Sequence, residues 1–342
     1  MLTINHSSKK GWSAPQIVPF GDLRLHPASS GLHYGVQLFE GMKGYRSSDD
    51  RILMFRPREN MKRMARSATR IMLPEFDQEE LLKCMAELLH IDQEWVPRSK
   101  KSSIYIRPLF FGTGPNLGIA PATESMIVII LCPVGPYFKT GFSPVSLIAD
   151  PLNVRSWPGG TGDYKLGGNY SPTLYLQDNA EKQGFQQVLW LFNQDHEITE
   201  IGCMNFFMFL KNAQGEDELV TPPLNGMILP GVTRTSIIDL ARKWGEFKVS
   251  ERKVTMNEIV SACKEKRIFG CGTACVIAPI NHIRYTKDKD TVLELPIPSK
   301  DLTLARRLLK SILSIQYGDT PSDWSVSVDS LIMQRSKSQS AL

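Results

Sequence analysis

Tyr164-Lys165-Leu166-Gly167-Gly168-Asn169-Tyr170 sets one amine between aromatic residues and directly ahead of a glycine pair. It continues the run Trp157-Pro158-Gly159-Gly160-Thr161-Gly162-Asp163, so five glycines fall between positions 159 and 168. Such a backbone turns where other residues cannot and lets the chain approach a bound molecule closely. A lysine that attacks a carbonyl, rather than only carrying charge, needs this setting, because an apolar or cationic surrounding favours the free amine. The bland alternative is a glycine-rich surface loop with a solvated lysine. The rest of the chain has to decide.

Around this segment, hydrophobic periodicity supplies the frame. Met61, Met64, Ala65, Ala68 and Ile71 recur at helical spacing over 60–72, and Leu82, Met85, Leu88 and Leu89 do so over 79–91. Strands are predicted at 103–107, where polar and apolar residues alternate, and at 126–132, an apolar run far too short to span a membrane. Pro133-Val134-Gly135-Pro136 then breaks the pattern. Further strands are expected at 144–149, 187–192 and 205–210, and helices at 171–183, 233–244 and 302–317. Short antiparallel-looking strands outnumber βαβ units, which predicts an α+β fold.

A chain of 342 residues suggests two domains. The expected division is a small N-terminal domain over 1–137, a linker over 138–144 and a large C-terminal domain over 145–324. The serine-rich stretch 325–342 is expected to be a disordered tail. Composition, with 42% apolar and 22% charged residues, is that of a soluble globular protein. The net charge of +5 comes without any basic block, so nucleic-acid binding is unsupported and no membrane segment is expected. Cys84, Cys132, Cys203, Cys263, Cys271 and Cys275 show no CxxC or histidine spacing, which reads as reduced intracellular thiols and no metal site. The polar start, Met1 to Trp12, has no signal-peptide character, so a cytoplasmic location is the default.

Four other segments carry candidate chemistry. Leu229-Pro230-Gly231-Val232-Thr233-Arg234 marks a helix start whose amides and dipole suit a phosphate, although a plain capped helix is the simpler account. Glu200, between two predicted strands, is either a loop carboxylate or a buried anion facing a protonated ring nitrogen. Gly270-Cys271-Gly272-Thr273-Ala274-Cys275 is either a nest for an anion or a tight turn. Alternation puts Tyr105 and Arg107 on one strand face, which suits a carboxylate ligand or an ordinary exposed face. Together these are the parts a pyridoxal-phosphate enzyme needs: a Schiff-base lysine, an acid for the pyridinium and a phosphate cradle.

The 164–170 segment, Leu32-His33-Tyr34, Gln37-Leu38-Phe39-Glu40-Gly41-Met42-Lys43, Asn60-Met61-Lys62-Arg63-Met64, Cys132-Pro133-Val134-Gly135, Gln187-Val188-Leu189-Trp190 and Thr221-Pro222-Pro223-Leu224-Asn225-Gly226 closely resemble the eukaryotic branched-chain amino acid aminotransferases. These are fold-type IV pyridoxal-phosphate enzymes. The resemblance runs in order from Met1 to Trp324. It implies two α/β domains joined by a short linker with the site at their interface, pyridoxal 5'-phosphate as cofactor, and a homodimer.

By this resemblance Lys165 would hold the cofactor as a Schiff base and shuttle the Cα proton. Glu200 would sit by the pyridine nitrogen, and Tyr170 would hydrogen-bond the phenolic oxygen. Arg63, the main chain of Val232 and Thr233, and Thr273 would bind the phosphate. The substrate α-carboxylate would meet the Thr273-Ala274 turn and Tyr34. Phe39, Tyr105 and Tyr137 would wall an apolar pocket for leucine, isoleucine or valine, with Arg107 and Gln187 nearby. Leu117 and Ile119 would close the pocket of the other subunit. The reaction implied is ping-pong transamination with 2-oxoglutarate and glutamate as the second pair.

The chain departs from the family pattern in places. Cys203 stands where relatives commonly carry Thr, and the segment before Gly270 is a few residues shorter. Met1 lies inside the family's N-terminal domain, so a longer form with a mitochondrial transit peptide is conceivable. The competing readings are another fold-type IV enzyme, such as a D-amino acid aminotransferase or aminodeoxychorismate lyase, and a non-catalytic paralogue. The aromatic pocket residues argue against the first, and the intact Lys165, Glu200, Tyr170 and Arg63 against the second. Some mammalian relatives carry a CxxC redox pair after the Gly-Thr-Ala turn, but here Cys275 is followed by Ala278 at the second position. Mild oxidation should therefore form no disulfide at Cys275. Non-reducing peptide mapping that found one, with reversible loss of activity, would refute this.

Overall fold

The computed structural model describes residues 1–137, 142–261, 263, 265–299 and 301–339. Residues 138–141 of the expected linker lie outside them. The chain forms two compact α+β units, as the strand pattern predicts. The first comprises Met1–Pro136, Tyr164–Gly168 and Leu313–Leu342; the second comprises Tyr137–Asp163 and Asn169–Ile312.

In the first unit the sheet runs Ser325–Ser327, Ile52–Phe55, Met42–Arg46, Ser103–Gly112, Glu124–Val134, Leu2–Ser7 and Gly11–Trp12, all antiparallel. Short strands Gln16–Ile17 and Gln37–Phe39 pair with Leu2–Ser7 and Ser103–Gly112 respectively. Helix Pro57–Arg70 begins with proline, whose missing N–H costs nothing in the first turn. Helix Gln78–Ile91 is capped by Asp77, whose Oδ1 accepts the Glu80 amide at 2.9 Å. The periodic residues predicted for these helices, including Met61, Met64, Leu82, Met85, Leu88 and Leu89, are buried in one core with Ile104, Ile106, Ile127 and Ile129.

Two sequence expectations are corrected here. The stretch 325–342 is not a disordered tail where it is described. Ser325–Ser327 pairs with Leu53–Phe55, and Val328–Gln339 is a helix with Val328 and Leu331 buried in the same core. Val328, Leu331 and Ile332 have the i, i+3, i+4 spacing of an apolar helix face, which the many serines mask. Nor is 145–324 one continuous domain. Tyr164–Gly168 belongs to the first unit because the Phe39 amide donates to the Lys165 carbonyl at 3.1 Å, the Lys165 amide donates to Ser67 Oγ at 3.0 Å, and Leu38 bridges to Leu166.

In the second unit six strands follow one another as Glu197–Ile201, Gln187–Phe192, Val145–Ala149, Val276–Thr286, Arg267–Gly272 and Met204–Lys211. The first also pairs with the last, which closes the sheet on itself and removes two edges. Asp217–Thr221 and Lys248–Glu251 extend it beyond Met204–Lys211, and Val292–Pro296 pairs with Val276–Thr286. Helix Val232–Trp244 ends at Gly245, whose φ of 65° is the left-handed value a helix C-terminus favours. The helix expected over 171–183 is split: Ser171–Thr173 is a 3₁₀ turn, and the α-helix covers Leu174–Lys182. Among the described residues no helix is long and apolar enough to cross a membrane.

Leu331 has no exposed surface. Leu331→Ala should therefore destabilise the chain by about 2–5 kcal/mol in chemical denaturation. A disordered tail would show no change.

Candidate active site

Within the first unit, Lys165 is half-buried, and its Nζ lies 4.6 Å from the centre of the Phe39 ring. The Arg107 guanidinium lies 4.7 Å from the same ring and 5.0 Å from that of Tyr105, and its Nη2 donates to the Tyr105 hydroxyl at 3.2 Å. Strand alternation brings Tyr105 and Arg107 together as predicted. A Cβ on Gly41 would fall 2.0 Å from the Tyr105 hydroxyl oxygen, so only glycine fits there. The Tyr34 hydroxyl donates to the Leu117 carbonyl, while Leu117 and Ile119 are themselves exposed.

Arg63, on the buried face of helix Pro57–Arg70, forms a doubly bonded ion pair with Glu40: Nε to Oε1 at 2.7 Å and Nη2 to Oε2 at 2.8 Å. Glu40 is fully buried and also accepts from Asn60 Nδ2 at 2.8 Å and from the Gly41 amide at 3.1 Å. Burial pushes its carboxyl up. The charge and hydrogen bonds of Arg63, the charge of Lys165 and the Asn60 hydrogen bond outweigh this and hold it below the usual carboxylate range. A depressed folded-state pKa contributes stability at neutral pH that is lost as pH falls through that value.

The second unit carries the remaining candidates. Glu200 is 2% exposed on strand Glu197–Ile201, and its Oε2 lies 3.1 Å from Arg155 Nε. Its Oε1 accepts the Leu229 amide at 2.9 Å, and Asn205 Nδ2 donates to the Leu229 carbonyl at 2.9 Å. The acid is thereby tied to the segment that feeds the helix start at Val232 and Thr233. Gly231 caps that helix without a side-chain hydrogen bond, so its first-turn amides and positive dipole end carry no local anion. A Cβ on Gly231 would meet Asn205 Oδ1 at 2.0 Å.

Thr273 and Ala274 are half-buried in the turn between strands Arg267–Gly272 and Val276–Thr286. There Val276 adopts φ 61°, a conformation a β-branched residue rarely takes and a mark of backbone strain. Gln187 is buried beneath Gly202, where a Cβ would come within 1.7 Å of its Oε1. Tyr170 is half-buried, and its carbonyl accepts from the Thr173 hydroxyl at 2.6 Å. The Tyr137 hydroxyl is pushed up by burial, then by the charge and hydrogen bond of Cys203 and the charge of Cys275. All six cysteines are free thiols. Among the described residues no group of three or more His, Cys, Asp or Glu is placed to hold a metal ion.

Two residues of these clusters escaped the sequence reading. Glu40 lies in the quoted Phe39-Glu40-Gly41 motif but drew no role, and Arg155 lies in an aperiodic stretch with no signal at all. Arg155 also donates from Nη1 to the carbonyls of Gly162 and Met227, at 3.3 and 3.4 Å.

The second unit thus holds a buried acid on a strand and a helix start without a capping side chain, and the first an amine against an aromatic face. Residues 37–283 match the amino-transferase class IV family. The chain is 53% identical to the cytosolic branched-chain-amino-acid aminotransferase of Mus musculus over 330 residues, 95% of this chain and 85% of that protein. It is 49% identical to the mitochondrial enzyme of Rattus norvegicus over 96% of this chain and 84% of that one. The crystal structure of the branched-chain amino acid aminotransferase of Escherichia coli superposes with a TM-score of 0.72 at 26% identity, covering 92% of this chain and 97% of that one. The PLP-form enzyme of Thermobaculum terrenum shares the fold, with a TM-score of 0.74 at 22% identity over 96% and 98% of the two chains. The chain belongs to the class IV aminotransferases, and within them to the branched-chain-amino-acid aminotransferase family.

Arg155→Met leaves Glu200 buried without its cation, so it should destabilise the chain by about 3–5 kcal/mol. Adding Glu200→Gln should recover part of that loss. A double-mutant cycle on chemical denaturation with no coupling between the two positions would contradict the pairing.

Proposed function

We propose that the chain catalyses reversible transfer of the amino group of branched-chain L-amino acids to 2-oxoglutarate, giving branched 2-oxo acids and glutamate. The observation that carries this reading is that about half of all residues are identical to such enzymes over 95% of the chain, with Lys165 Nζ set against the Phe39 ring. Pyridoxal 5'-phosphate, when bound, supplies a carbonyl for the amine and a ring that accepts the electron pair released at Cα.

The chain's own residues do the rest. Lys165 would hold the cofactor through Nζ, and the same amine, once free, would take up and return the Cα proton. Glu200, paired with Arg155, would lie by the ring nitrogen and favour its protonated form. Tyr170 would donate to the phenolic oxygen. The amides of Val232 and Thr233, with Thr273 and Arg63, would hold the phosphate. Because Glu40 already neutralises Arg63, this guanidinium contributes fixed donors more than net charge.

Tyr34 and the Thr273-Ala274 turn orient the α-carboxylate. Phe39, Tyr105 and Tyr137 exclude water from the aliphatic side chain, with Arg107 and Gln187 at its edge. Leu117 and Ile119, 65% and 92% exposed, serve a second copy of the chain in a homodimer. The proposed location is cytoplasmic; the relatives include both cytosolic and mitochondrial enzymes.

Incubation with pyridoxal phosphate should give the purified chain a visible absorption band that Lys165→Ala lacks. L-Leucine with 2-oxoglutarate should yield glutamate, and D-alanine should not replace leucine. Lys165→Ala should lower the rate by at least about 10²–10⁴-fold. No band in the unmutated chain, or preference for D-alanine, would sink this reading.

A further inference from the structure

We propose that Glu40 is a positioning residue of this site: a buried, fixed anion that holds the Arg63 guanidinium in one orientation and sets the charge beside Lys165. The inference rests on the reading of Lys165 as the cofactor-bearing lysine.

The geometry around Glu40 is that of a clamp. The carboxylate has no exposed surface, and its two oxygens accept from Arg63 Nε, Arg63 Nη2, Asn60 Nδ2 and the Gly41 amide, at 2.7, 2.8, 2.8 and 3.1 Å. One donor meets Oε1 and three meet Oε2, so both oxygens of the carboxylate are held. Asn60 and Arg63 lie three residues apart on helix Pro57–Arg70, so one anion fixes two side chains on one helical face. Nε together with Nη2 is the fork that orients a guanidinium in its own plane, which a single contact would leave free to rotate.

The chain path puts that clamp next to the amine. Glu40 follows Phe39, whose amide donates to the Lys165 carbonyl at 3.1 Å and whose ring lies 4.6 Å from Lys165 Nζ. The Lys165 charge is one of the influences that keep Glu40 ionised. A fixed negative charge therefore sits one residue from the ring that Lys165 Nζ faces. A buried ion pair is a poor source of stability, since well-packed apolar residues often do as well. Position, not stability, is what such a pair uniquely supplies here.

Glu40→Gln keeps the shape and removes the charge, whereas Glu40→Asp keeps the charge and withdraws the carboxylate by one methylene. Both are measured on the full chain by spectrophotometric titration with pyridoxal phosphate and by the pH midpoint of the bound cofactor's visible absorption. Glu40→Gln should weaken cofactor binding on the order of tenfold to a hundredfold and lower the pH midpoint by about one unit. Glu40→Asp should weaken binding and leave the midpoint near that of the unmutated chain. Should Glu40→Gln fail to fold, the Glu40→Asp result decides alone. The proposal is overturned if the folded variants keep unmutated affinity and midpoint while only the melting temperature of the cofactor-free chain falls, which is what a purely structural pair would give. Failure of the unmutated chain to take up any cofactor would instead overturn the Lys165 reading, and with it this inference.

Discussion

A carboxylate with no exposed surface has lost its hydration shell, a cost of several kcal/mol that its neighbours must offset. Glu40 is in that position, and much of the first unit is arranged accordingly. Asn60 and Arg63 must point to it, which fixes the rotation of helix Pro57–Arg70 about its axis. That rotation leaves Met61, Met64 and Ala68 facing the core. The residue after Glu40 must be glycine, because the Tyr105 hydroxyl occupies the space of a Cβ. The residue before it, Phe39, is held by the Lys165 carbonyl and by pairing with Leu109, so its ring lies under both Lys165 and Arg107. One buried anion thus couples a helix, a strand and the glycine-rich segment.

The second unit repeats the device with a different purpose. Glu200 is paired with Arg155 and bonded to the Leu229 amide, and Asn205 holds the Leu229 carbonyl. These contacts fix the entry into helix Val232–Trp244, so the direction of its first-turn amides follows from the strand that carries Glu200. Gly231 completes the arrangement, since Asn205 fills the space a side chain would need. A buried acid and a helix start without a capping side chain are therefore tied together by side-chain-to-main-chain hydrogen bonds.

The sequence made the long periodic elements legible, because burial on one face imposes a period that survives in composition. Gln187–Phe192 was predicted residue for residue, and the helices after Pro57, Asp77 and Gly231 to within a few positions. What escaped has a common cause. The terminal helix Val328–Gln339 buries Val328 and Leu331 within a serine-rich stretch of sequence, so average composition concealed it. The excursion of Tyr164–Gly168 into the first unit depends on contacts with residues far away in the sequence, Leu38, Phe39 and Ser67, for which local pattern carries no signal. Glu40 and Arg155 were missed for a related reason. A buried ion pair is written in two distant places, and neither half looks unusual alone. The lysine, by contrast, was conspicuous because glycine and aromatic neighbours are local.

Both carboxylates carry an arginine, so the two pairs contribute little net charge. Arg107 is the contrasting case. Its guanidinium lies against the faces of Phe39 and Tyr105, which take up part of its charge without an opposing carboxylate. Its Nε is buried with no hydrogen-bond partner among the described residues, a cost of about 1–3 kcal/mol that a static structure has little reason to retain. In the proposed reaction the same pocket must accept an aliphatic side chain in one half and a γ-carboxylate in the other. An arginine held over aromatic rings would meet both demands. It presents hydrocarbon rings to the first and donors at its edge to the second, and it needs no permanent counter-ion in the path of either.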